Sequence, residues 1–352
     1  MFQFIKKNFA LIFIITFVII FSIFNKDAFI KNYENKKIIL EKKQNLKKEL
    51  QNFSLKKIWE INNLNLYYTP YKNLLNKIVE KINKAQKKVY IEVYMFTEKR
   101  LQKALVNAKK RGVDVKVLLE KNPYKSPNIN NKTFNFLKQN NIDISWSDSD
   151  NYSLNHSKFI IIDDEVIVST WNLTYSTFAF NRDFFLFTKD KKILEKFENL
   201  FLIDFSKQKD FVYLDNIVLS PNYSRFKFKK MFEESSQSLD LYFQYLEDEK
   251  LEKILLEKAR EWVKIRIIVS NNFFEENKKK IKFFKKNNII IKPLKNIKMH
   301  SKAILVDNKY LFIWSENFSS FSLDKNREVW LIFTNKTEIN KFKKIFEKDF
   351  AK

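Results

Sequence analysis

The pattern of apolar and polar positions divides the chain into an apolar amino-terminal run, a charged segment and a long region of short strands and helices. Apolar residues fill positions 9–24 except for Thr16 and Ser22. From about residue 61 onward, short strand-like runs alternate with segments of helical period. Strands and helices that alternate in this way predict an α/β sheet built from β-α-β units.

The apolar run predicts a transmembrane helix. Its sixteen residues, 9–24, fall slightly short of the roughly 20 that span a bilayer, but the flanking Phe2, Phe4 and Ile5 lengthen it. A cleaved signal peptide is the alternative, although residues 21–25 contain no Ala-x-Ala cleavage pattern. A buried core helix is a second alternative, which the terminal position and the lack of polar alternation disfavour.

The chain divides into four segments on this pattern. Residues 1–25 are expected to be a membrane anchor or uncleaved signal-anchor, and residues 26–60, which are charged and lack Pro and Gly, a helical stalk. Residues 61–210 and 211–352 are expected to form two similar halves. The expected location is therefore a bacterial cell membrane with a single amino-terminal anchor, on a side that the lysine distribution leaves open.

The two halves repeat one succession of elements. Each opens with a strand that ends at a proline, Pro70 or Pro221, and continues with a helix, an apolar strand, a second helix and another strand. The second helices are predicted at residues 101–110 and 251–261. Self-similarity on this scale predicts two packed sheets related by a pseudo-twofold axis.

Composition narrows the chemistry. At 45% hydrophobic residues the chain can bury a full core. The net charge of +25 would suit a phosphate-rich partner, either nucleic acid or an anionic membrane surface. The excess is mostly Lys, and with abundant Asn, Ile and Phe and a single glycine, Gly112, it is typical of codon bias in an A+T-rich genome. The absence of Cys excludes thiolate ligands, and two His supply a zinc site poorly, so no metal and no cofactor are expected.

Both histidines of the chain fall in one pattern, His-x-Lys-x4-Asp. The two copies consist of His156, Ser157, Lys158 and Asp163, and of His300, Ser301, Lys302 and Asp307. Each Lys is followed by an apolar run that predicts a buried strand, with His and Lys on one face at its start. Two matches from two histidines are very improbable by chance.

The residues that follow each copy also correspond. Asn172 comes nine residues after the first motif Asp, and Asn317 comes ten residues after the second. Farther along, Asn-Arg is followed by an acidic residue in both halves, Asp183 and Glu328. The duplicated pattern therefore extends well beyond the His motif.

These residues resemble the phospholipase D superfamily, whose signature is His-x-Lys-x4-Asp followed by Gly-Ser-x-Asn and a carboxylate. The resemblance covers the chain from about residue 64 to its end, and it implies two α/β/α sandwich halves packed together around one site. The family's Gly-Ser is replaced by Ser169-Thr170 in the first copy and by Trp314-Ser315 in the second. The hydroxyls of the pair are kept, but the glycines are lost.

The resemblance implies a metal-independent phosphodiesterase with a covalent phosphohistidine. His156 would attack phosphorus and His300 would protonate the leaving oxygen and then activate water or an alcohol, although pseudo-symmetry allows the roles to be exchanged. Three further groups are implied. The lysines that neutralise phosphate are Lys158 and Lys302; the groups that bind its oxygens are Asn172, Asn317, Thr170 and Ser315; the carboxylates that orient the histidines are Asp183 and Glu328. Asp163 and Asp307 complete the catalytic motif, although strand-end positions suit structural support.

Phospholipid headgroups are the preferred substrate, because an anchor and stalk would hold the site near a lipid surface. The first alternative is a nuclease that cleaves DNA or RNA, for which the basic surface would supply sequence-independent affinity. The second is a cardiolipin-synthase-like phosphatidyltransferase, which usually has two spans and an Arg-Ser pair after the motif Asn, both missing here. An inactive relative that only binds phosphate is the non-catalytic alternative.

Overall fold

A computed structural model describes residues 37–351 except residues 39, 72, 148–149, 211 and 316–317. The described residues divide into two compact units, one ending at residue 52 and the other beginning at residue 53. In the first unit, helix α1 includes residues 37, 38 and 40–51. The predicted anchor at residues 1–25 lies outside the described residues, and none of the helices that are described is both long enough and apolar enough to cross a bilayer.

The second unit is made of two similar halves. The strands of the first half are β1 (Asn65–Tyr68), β2 (Lys88–Val93), β3 (Asp114–Leu119), β4 (Asp143–Trp146), β5 (Lys158–Ile162), β6 (Glu165–Ser169), β7 (Asn181–Arg182) and β8 (Phe184–Thr188). The strands of the second half are β9 (Ile217–Ser220), β10 (Ser238–Phe243), β11 (Lys264–Ser270), β12 (Ile289–Leu294), β13 (Lys298–Met299), β14 (Ala303–Val306), β15 (Tyr310–Trp314) and β16 (Glu328–Phe333).

The helices alternate with these strands. After a short 3-10 helix at Leu55–Lys57, those of the first half are α2 (Leu74–Lys84), α3 (Lys99–Lys110), α4 (Asn131–Gln139), α5 (Tyr175–Phe180) and α6 (Lys191–Phe205). Those of the second half are α7 (Ser224–Glu233), α8 (Glu249–Arg260), α9 (Asn271–Glu276), α10 (Lys278–Lys286), α11 (Ser320–Asp324) and α12 (Lys336–Phe350).

The two large sheets have one topology. The first has seven strands in the order β1-β8-β6-β5-β2-β3-β4, and the second has seven in the order β9-β16-β15-β14-β10-β11-β12. In each, the last three strands are parallel and the other neighbours are antiparallel. Each sheet has its own buried apolar cluster. The predicted α/β class and the duplication are therefore confirmed.

The corresponding helices α3 and α8 begin and end in the same way. Each begins at an acidic N-cap whose carboxylate accepts a backbone N–H, Glu98 in the first half and Asp248 in the second. Each is followed by a residue in the left-handed region, Gly112 with φ 89° and Trp262 with φ 66°. Since the Trp262 side chain is 88% exposed, the turn accepts a large residue without a steric conflict.

The segment that precedes the first sheet belongs to the core of the second. The predicted stalk extends to residue 60, but Phe53, Leu55 and Ile58 are buried in the apolar cluster of the second sheet. Glu234 fixes this segment by accepting hydrogen bonds from the Ser54 hydroxyl (3.0 Å) and the Leu55 amide (2.9 Å). Apolar side chains at these positions explain why the chain joins the core before residue 60.

Two buried ion pairs join the halves. Arg182 of the first half binds Asp349 on α12 through Nε (2.7 Å) and Nη2 (3.0 Å). Arg327 of the second half binds Asp204 on α6 through Nε (3.1 Å) and Nη2 (2.7 Å). All four residues are buried. Each pair therefore connects the residue before an acidic motif position with the last helix of the opposite half.

Candidate active site

The two histidines line one cleft between the halves. The cleft has a volume of about 1000 Å³, and its lining includes His156, His300, Lys302 and Asn172. The His156 side chain is 12% exposed and the His300 side chain 16%. Both imidazoles therefore line the same cleft, as the sequence hypothesis requires.

Each histidine immediately precedes a motif strand at the centre of its sheet. Strand β5 pairs antiparallel with β2, so that Lys158 lies opposite Val93, the last residue of β2. In the second half, β14 pairs antiparallel with β10, so that Ala303 lies opposite Tyr242. The histidines are thereby held near the carboxyl ends of the parallel strands, the usual place for ligands in α/β folds.

Backbone pairing across the halves positions both motifs. Asn155 forms a parallel bridge with Arg327, and β13 pairs parallel with β7. The His156 amide donates to the Arg327 carbonyl (2.8 Å), and the His300 amide donates to the Arg182 carbonyl (3.3 Å). Each histidine is therefore aligned by the residue that precedes the acidic position of the other half.

The orienting carboxylates are exchanged between the halves. His156 Nδ1 lies 2.9 Å from Glu328 Oε2, and His300 Nδ1 lies 2.9 Å from Asp183 Oδ1. Both carboxylates are fully buried. Because a carboxylate only accepts, it favours the tautomer with the proton on Nδ1, which leaves Nε2 of each ring for chemistry.

The hydroxyls predicted to bind phosphate hold these carboxylates instead. Thr170 Oγ1 donates to Asp183 Oδ1 (2.6 Å), and Ser315 Oγ donates to Glu328 Oε2 (2.6 Å). Both residues are fully buried. Phosphate binding by Thr170 and Ser315 stays a prediction; in this structure the hydroxyl proton of each is used by the carboxylate that orients a histidine.

The two motif asparagines differ in what is known of them. Asn172 lines the cleft, and its Oδ1 is buried with no hydrogen-bond partner among the residues that the structure describes. Because the two ends of an amide are assigned from their partners, this end can equally be the NH2 group facing a bound oxygen. Asn317 lies outside the described residues.

The two motif lysines have different partners. Lys158 Nζ donates to the His156 carbonyl (2.6 Å) and lies 5.2 Å from the centre of the Tyr94 ring. Lys302 Nζ donates to Gln244 Oε1 (2.9 Å). Burial holds the pKa of Lys158 well below its ordinary value and lowers that of Lys302 to about 8. A phosphate anion beside them would favour their charged forms.

Burial favours the neutral form of both imidazoles. Burial lowers the pKa of His156 to about 4, Glu328 opposes this change, and Lys158 lowers the pKa further. Burial and then Lys302 lower the pKa of His300, with Asp183 opposing. A neutral ring with a free Nε2 is the form that can act as a nucleophile or accept a proton.

The motif aspartates lie at the far ends of the motif strands, away from the histidines. Asp163 accepts hydrogen bonds from three successive backbone amides, those of residues 86, 87 and 88. Asp307 accepts hydrogen bonds from the amides of residues 236, 237 and 238. Their carboxylates tie the turn after the motif strand to the start of β2 or β10, which favours the structural role over the catalytic one; their grouping with the catalytic residues stays a prediction.

Sequence reasoning missed three contributors to the site. Ser301 Oγ donates to the Arg182 carbonyl (2.6 Å), and Ser157 Oγ lies 3.5 Å from the Arg327 carbonyl. The Tyr94 ring packs edge-on against the His156 ring, with centroids 4.5 Å apart. The signal for the serines was available, because the variable position of the motif is Ser in both copies.

The fold and the paired His motifs define the class of protein: the chain belongs to the phospholipase D superfamily. A family profile described as "Cardiolipin synthase, PLD-like domain" matches residues 78–204 and 228–350, one match in each half. The resemblance seen in the sequence is thereby confirmed.

Curated relatives are also phospholipases D by name. The "Phospholipase D" of Rickettsia prowazekii is 30% identical over 136 residues, which is 38% of this chain and 64% of the relative. That of Rickettsia typhi is 29% identical over 136 residues, with the same coverage. The chain therefore spans less than two thirds of the length of these relatives.

Solved structures share the fold at low identity. Phosphatidylserine synthase from Haemophilus influenzae Rd KW20 is 12% identical with a TM-score of 0.71, covering 88% of this chain and 91% of that one. Polyphosphate kinase from Porphyromonas gingivalis is 16% identical with a TM-score of 0.65, covering 81% of this chain and 50% of that one. At these identities the likeness establishes the fold alone.

Proposed function

We propose that this protein is a membrane-anchored phosphodiesterase of the phospholipase D type that hydrolyses or transfers phospholipid headgroups. One observation carries the proposal: two histidines line a single cleft, and each has its Nδ1 on a buried carboxylate of the opposite half. This arrangement supplies two Nε2 atoms for a double displacement, one as the nucleophile and the other as the acid of the first step and the base of the second.

In the first step, His156 Nε2 attacks phosphorus, a P–N bond forms, and the P–O bond to the leaving alcohol breaks. His300 gives that oxygen a proton from Nε2. Burial and Lys302 lower the pKa of His300, but a bound phosphodiester anion stabilises its protonated form, so substrate brings the acid into its working state. Glu328 stabilises the positive charge that develops on His156.

In the second step, His300 Nε2 removes a proton from water or an acceptor alcohol, whose oxygen attacks phosphorus. The P–N bond breaks and the neutral His156 ring is restored. Lys158 and Lys302 place positive charge near the phosphate, and Asn172 supplies an amide at the cleft wall. Transfer to an alcohol differs from hydrolysis only in the acceptor.

The lining of the cleft favours a lipid headgroup over a nucleic acid. Glu247 and Glu276 line it, both are exposed, and among the described residues neither carboxylate has an ion-pair partner. Tyr245 and Phe321 line the same cleft. Carboxylates beside aromatic rings attract the ammonium group of a zwitterionic headgroup, whereas they repel the flanking phosphates of a nucleic acid.

The membrane anchor is part of this proposal. Its support is the apolar run at residues 9–24, directly followed by a lysine-rich segment. Fractionation of cells that express the full chain tests it. Recovery in the membrane pellet after a carbonate wash is expected, and complete release into the supernatant would contradict the anchor.

The substrate is tested with the full chain in mild detergent. Labelled phosphatidylcholine, phosphatidylethanolamine, cardiolipin and single-stranded DNA are offered in parallel, with His156→Ala as the control. Release of the headgroup, and formation of phosphatidylethanol when ethanol is added, are expected. Turnover of DNA alone would refute the lipid assignment, and phosphate binding without any turnover would favour an inactive relative.

A covalent intermediate is tested separately. His300→Asn removes the acid of the first step and the base of the second, so the substrate is a labelled phosphatidyl p-nitrophenyl ester, whose leaving group departs without a proton. The labelled phosphatidyl group should then remain bound to this variant after a rapid quench. The label should be lost in acid and kept in alkali, as for a phosphohistidine. If His156→Ala carries no label, the covalent bond is at His156. If His156→Ala does carry label, the nucleophile is His300 and the roles of the two histidines are exchanged.

A further inference from the structure

The two halves have different residues at an equivalent buried position of strands β2 and β10. Strands β2 and β10 each have six residues and equivalent partners in their sheets, and their fifth residues are Glu92 and Tyr242. Neither is exposed to solvent. The residue before the motif histidine differs too, being Asn155 in the first half and Met299 in the second. A polar pair in one half thus replaces a phenol and a thioether in the other.

In the second half, Tyr242 completes a chain of contacts that ends at a histidine. Its hydroxyl donates to Asp349 Oδ2 (2.9 Å). Asp349 is bound by Arg182, whose carbonyl accepts the His300 amide (3.3 Å). A hydroxyl donor therefore supports the carboxylate that holds the arginine behind His300.

The first half has the corresponding arginine and carboxylate, Arg327 and Asp204, with a carboxyl group at the strand position of the phenol. Arg327 binds Asp204, and its carbonyl accepts the His156 amide (2.8 Å). Glu92 occupies the position of Tyr242, and its pKa is held well above the ordinary value first by burial and then by the charge of Asp204. Glu92 Oε2 is buried and has no hydrogen-bond partner among the described residues.

The other oxygen of Glu92 holds the residue before His156. Asn155 Nδ2 donates to Glu92 Oε1 (3.0 Å), and Asn155 Oδ1 accepts the Ser157 amide (3.0 Å). The Asn155 amide itself donates to Glu120 Oε2 (2.7 Å). The side chain of Asn155 therefore bridges Glu92 to the backbone on the far side of His156.

Charge balance decides the state of Glu92. The groups that act on it are Asp204 on α6, Arg327 before β16, and the neutral Asn155 and Ser157 before β5. With both carboxyl groups ionised, one guanidinium would face two buried anions, and an uncompensated buried charge costs several kcal/mol. A protonated Glu92 leaves one anion for one cation and provides the hydroxyl donor that Tyr242 provides in the other half.

We propose that Glu92 is a neutral carboxylic acid and a positioning residue for His156. Its hydroxyl takes the part of the Tyr242 phenol towards Asp204, and its carbonyl oxygen holds Asn155 at the start of the motif. Only the kinetic test of this positioning role depends on the function proposed above. Glu92 does not touch the substrate.

Glu92→Gln and Glu92→Leu separate the alternatives. Glutamine reproduces the neutral acid, because its carbonyl accepts from Asn155 and its NH2 group replaces the hydroxyl donor, whereas leucine removes both bonds. Activity of Glu92→Gln should stay within about threefold of the parent. In Glu92→Leu, kcat should fall roughly ten- to hundredfold, the range for outer partners of a functional histidine, with little change in KM.

A readout that needs no substrate comes from the histidines themselves. The chain has two His, so a full chain labelled with 15N-histidine gives two imidazole spin systems, assigned with His300→Asn. Glu92→Gln should leave the His156 nitrogens unchanged, and Glu92→Leu should shift them while sparing His300. Tyr242→Phe is the matched control, because it should shift His300 and spare His156.

Protonation is tested by the pH dependence of unfolding. If the pKa of Glu92 is raised in the folded state, the protein loses stability as pH rises above the unfolded pKa of about 4.5. The unfolding constant then increases by up to tenfold per pH unit. The stability of Glu92→Gln should lack this pH-dependent part. Because the comparison is between the parent and Glu92→Gln, it can be made even if Glu92→Leu fails to fold.

Three outcomes would overturn the proposal. They are a Glu92→Gln chain as damaged as Glu92→Leu, equal pH slopes for Glu92→Gln and the parent, or unchanged His156 nitrogens in Glu92→Leu. If the parent hydrolyses nothing, the proposed function fails, while the nitrogen spectra and the pH slopes still decide the role of Glu92.

Discussion

Replacing Asp163 by alanine is expected to destabilise the protein without changing the activity of each folded molecule. The carboxylate accepts the amides of Gln86 (2.9 Å), Lys87 (2.8 Å) and Lys88 (3.0 Å). Asp163 also has φ 50°, in the left-handed region that aspartate tolerates better than alanine. His156 lies at the other end of strand β5, and Asp163 is not among the residues that line the cleft.

The expected loss is about 3 kcal/mol. Water can reach this turn, so each lost hydrogen bond is counted at about 0.7 kcal/mol rather than at the value for a buried charged partner. Three bonds give about 2 kcal/mol, and alanine at a positive φ adds about 1 kcal/mol. For a unit of this size, the midpoint of thermal unfolding should fall by roughly 6 °C. Asp163→Asn, which keeps one acceptor and tolerates the left-handed region, should lose about half as much.

The penalty should also depend on pH with a definite sign. Burial raises the pKa of Asp163, but the backbone amides of Gln86, Lys88 and Lys87 outweigh it, so the pKa lies below its ordinary value. The stability contributed by the charged form is present above the unfolded pKa of about 3.9 and is lost as pH falls through the folded pKa. The difference between the parent and Asp163→Ala should therefore shrink in acid.

Calorimetry and headgroup release, normalised to folded protein, are the two assays. Asp164→Ala is the matched control, because this neighbour is exposed and pairs with Lys189 at 3.2 Å, a contact worth less than about 1 kcal/mol. A hundredfold fall in kcat with unchanged thermal stability would refute the structural role and return Asp163 to the catalytic group.

Three further results are expected. The kcat/KM of the parent should fall as pH rises through about 8, because phosphate binding needs the charged form of Lys302, and Lys302→Arg should move this limb to higher pH; an unmoved limb assigns it to another group. Ser315→Ala should lower kcat several-fold with little change in KM, because the hydroxyl serves Glu328 rather than phosphate; a change in KM alone would restore the phosphate-binding role. Arg182→Met should cost about 3–5 kcal/mol in denaturant unfolding, because it leaves Asp349 as an unpaired buried charge, and adding Asp349→Leu should recover most of it; no recovery would show that the loss is one of packing.

The sequence was sufficient for the elements that carry strong local signals. The helices predicted at 101–110 and 251–261 are observed as Lys99–Lys110 and Glu249–Arg260, since apolar spacing and acidic caps mark them locally. The motif strands, observed at Lys158–Ile162 and Ala303–Val306, were marked by short apolar runs between a Lys and an Asp. Because the sequence is duplicated, an element predicted in one half could be checked against the equivalent segment of the other half.

Contacts between the halves could not be read from the chain. The sequence indicated that Asp183 and Glu328 orient histidines, but it could not reveal that each serves the histidine of the opposite half, because that depends on how the sheets pack. Thr170 and Ser315 were assigned to phosphate because a sequence shows a hydroxyl without its direction. Glu92 looked like an ordinary strand residue, because nothing local marks its burial beside Asp204.

Each histidine is oriented by a carboxylate of the opposite half, and this affects how the two halves of the chain can evolve. In a symmetric pair of identical subunits, every substitution is made twice, so both reaction centres must accept it. In a single chain that contains both copies, a substitution is made once, and the two rings can acquire different surroundings while still depending on each other. Tyr94 beside His156 and Gln244 beside Lys302 are such a difference, so this chain has the means for its two chemically alike nitrogens to specialise.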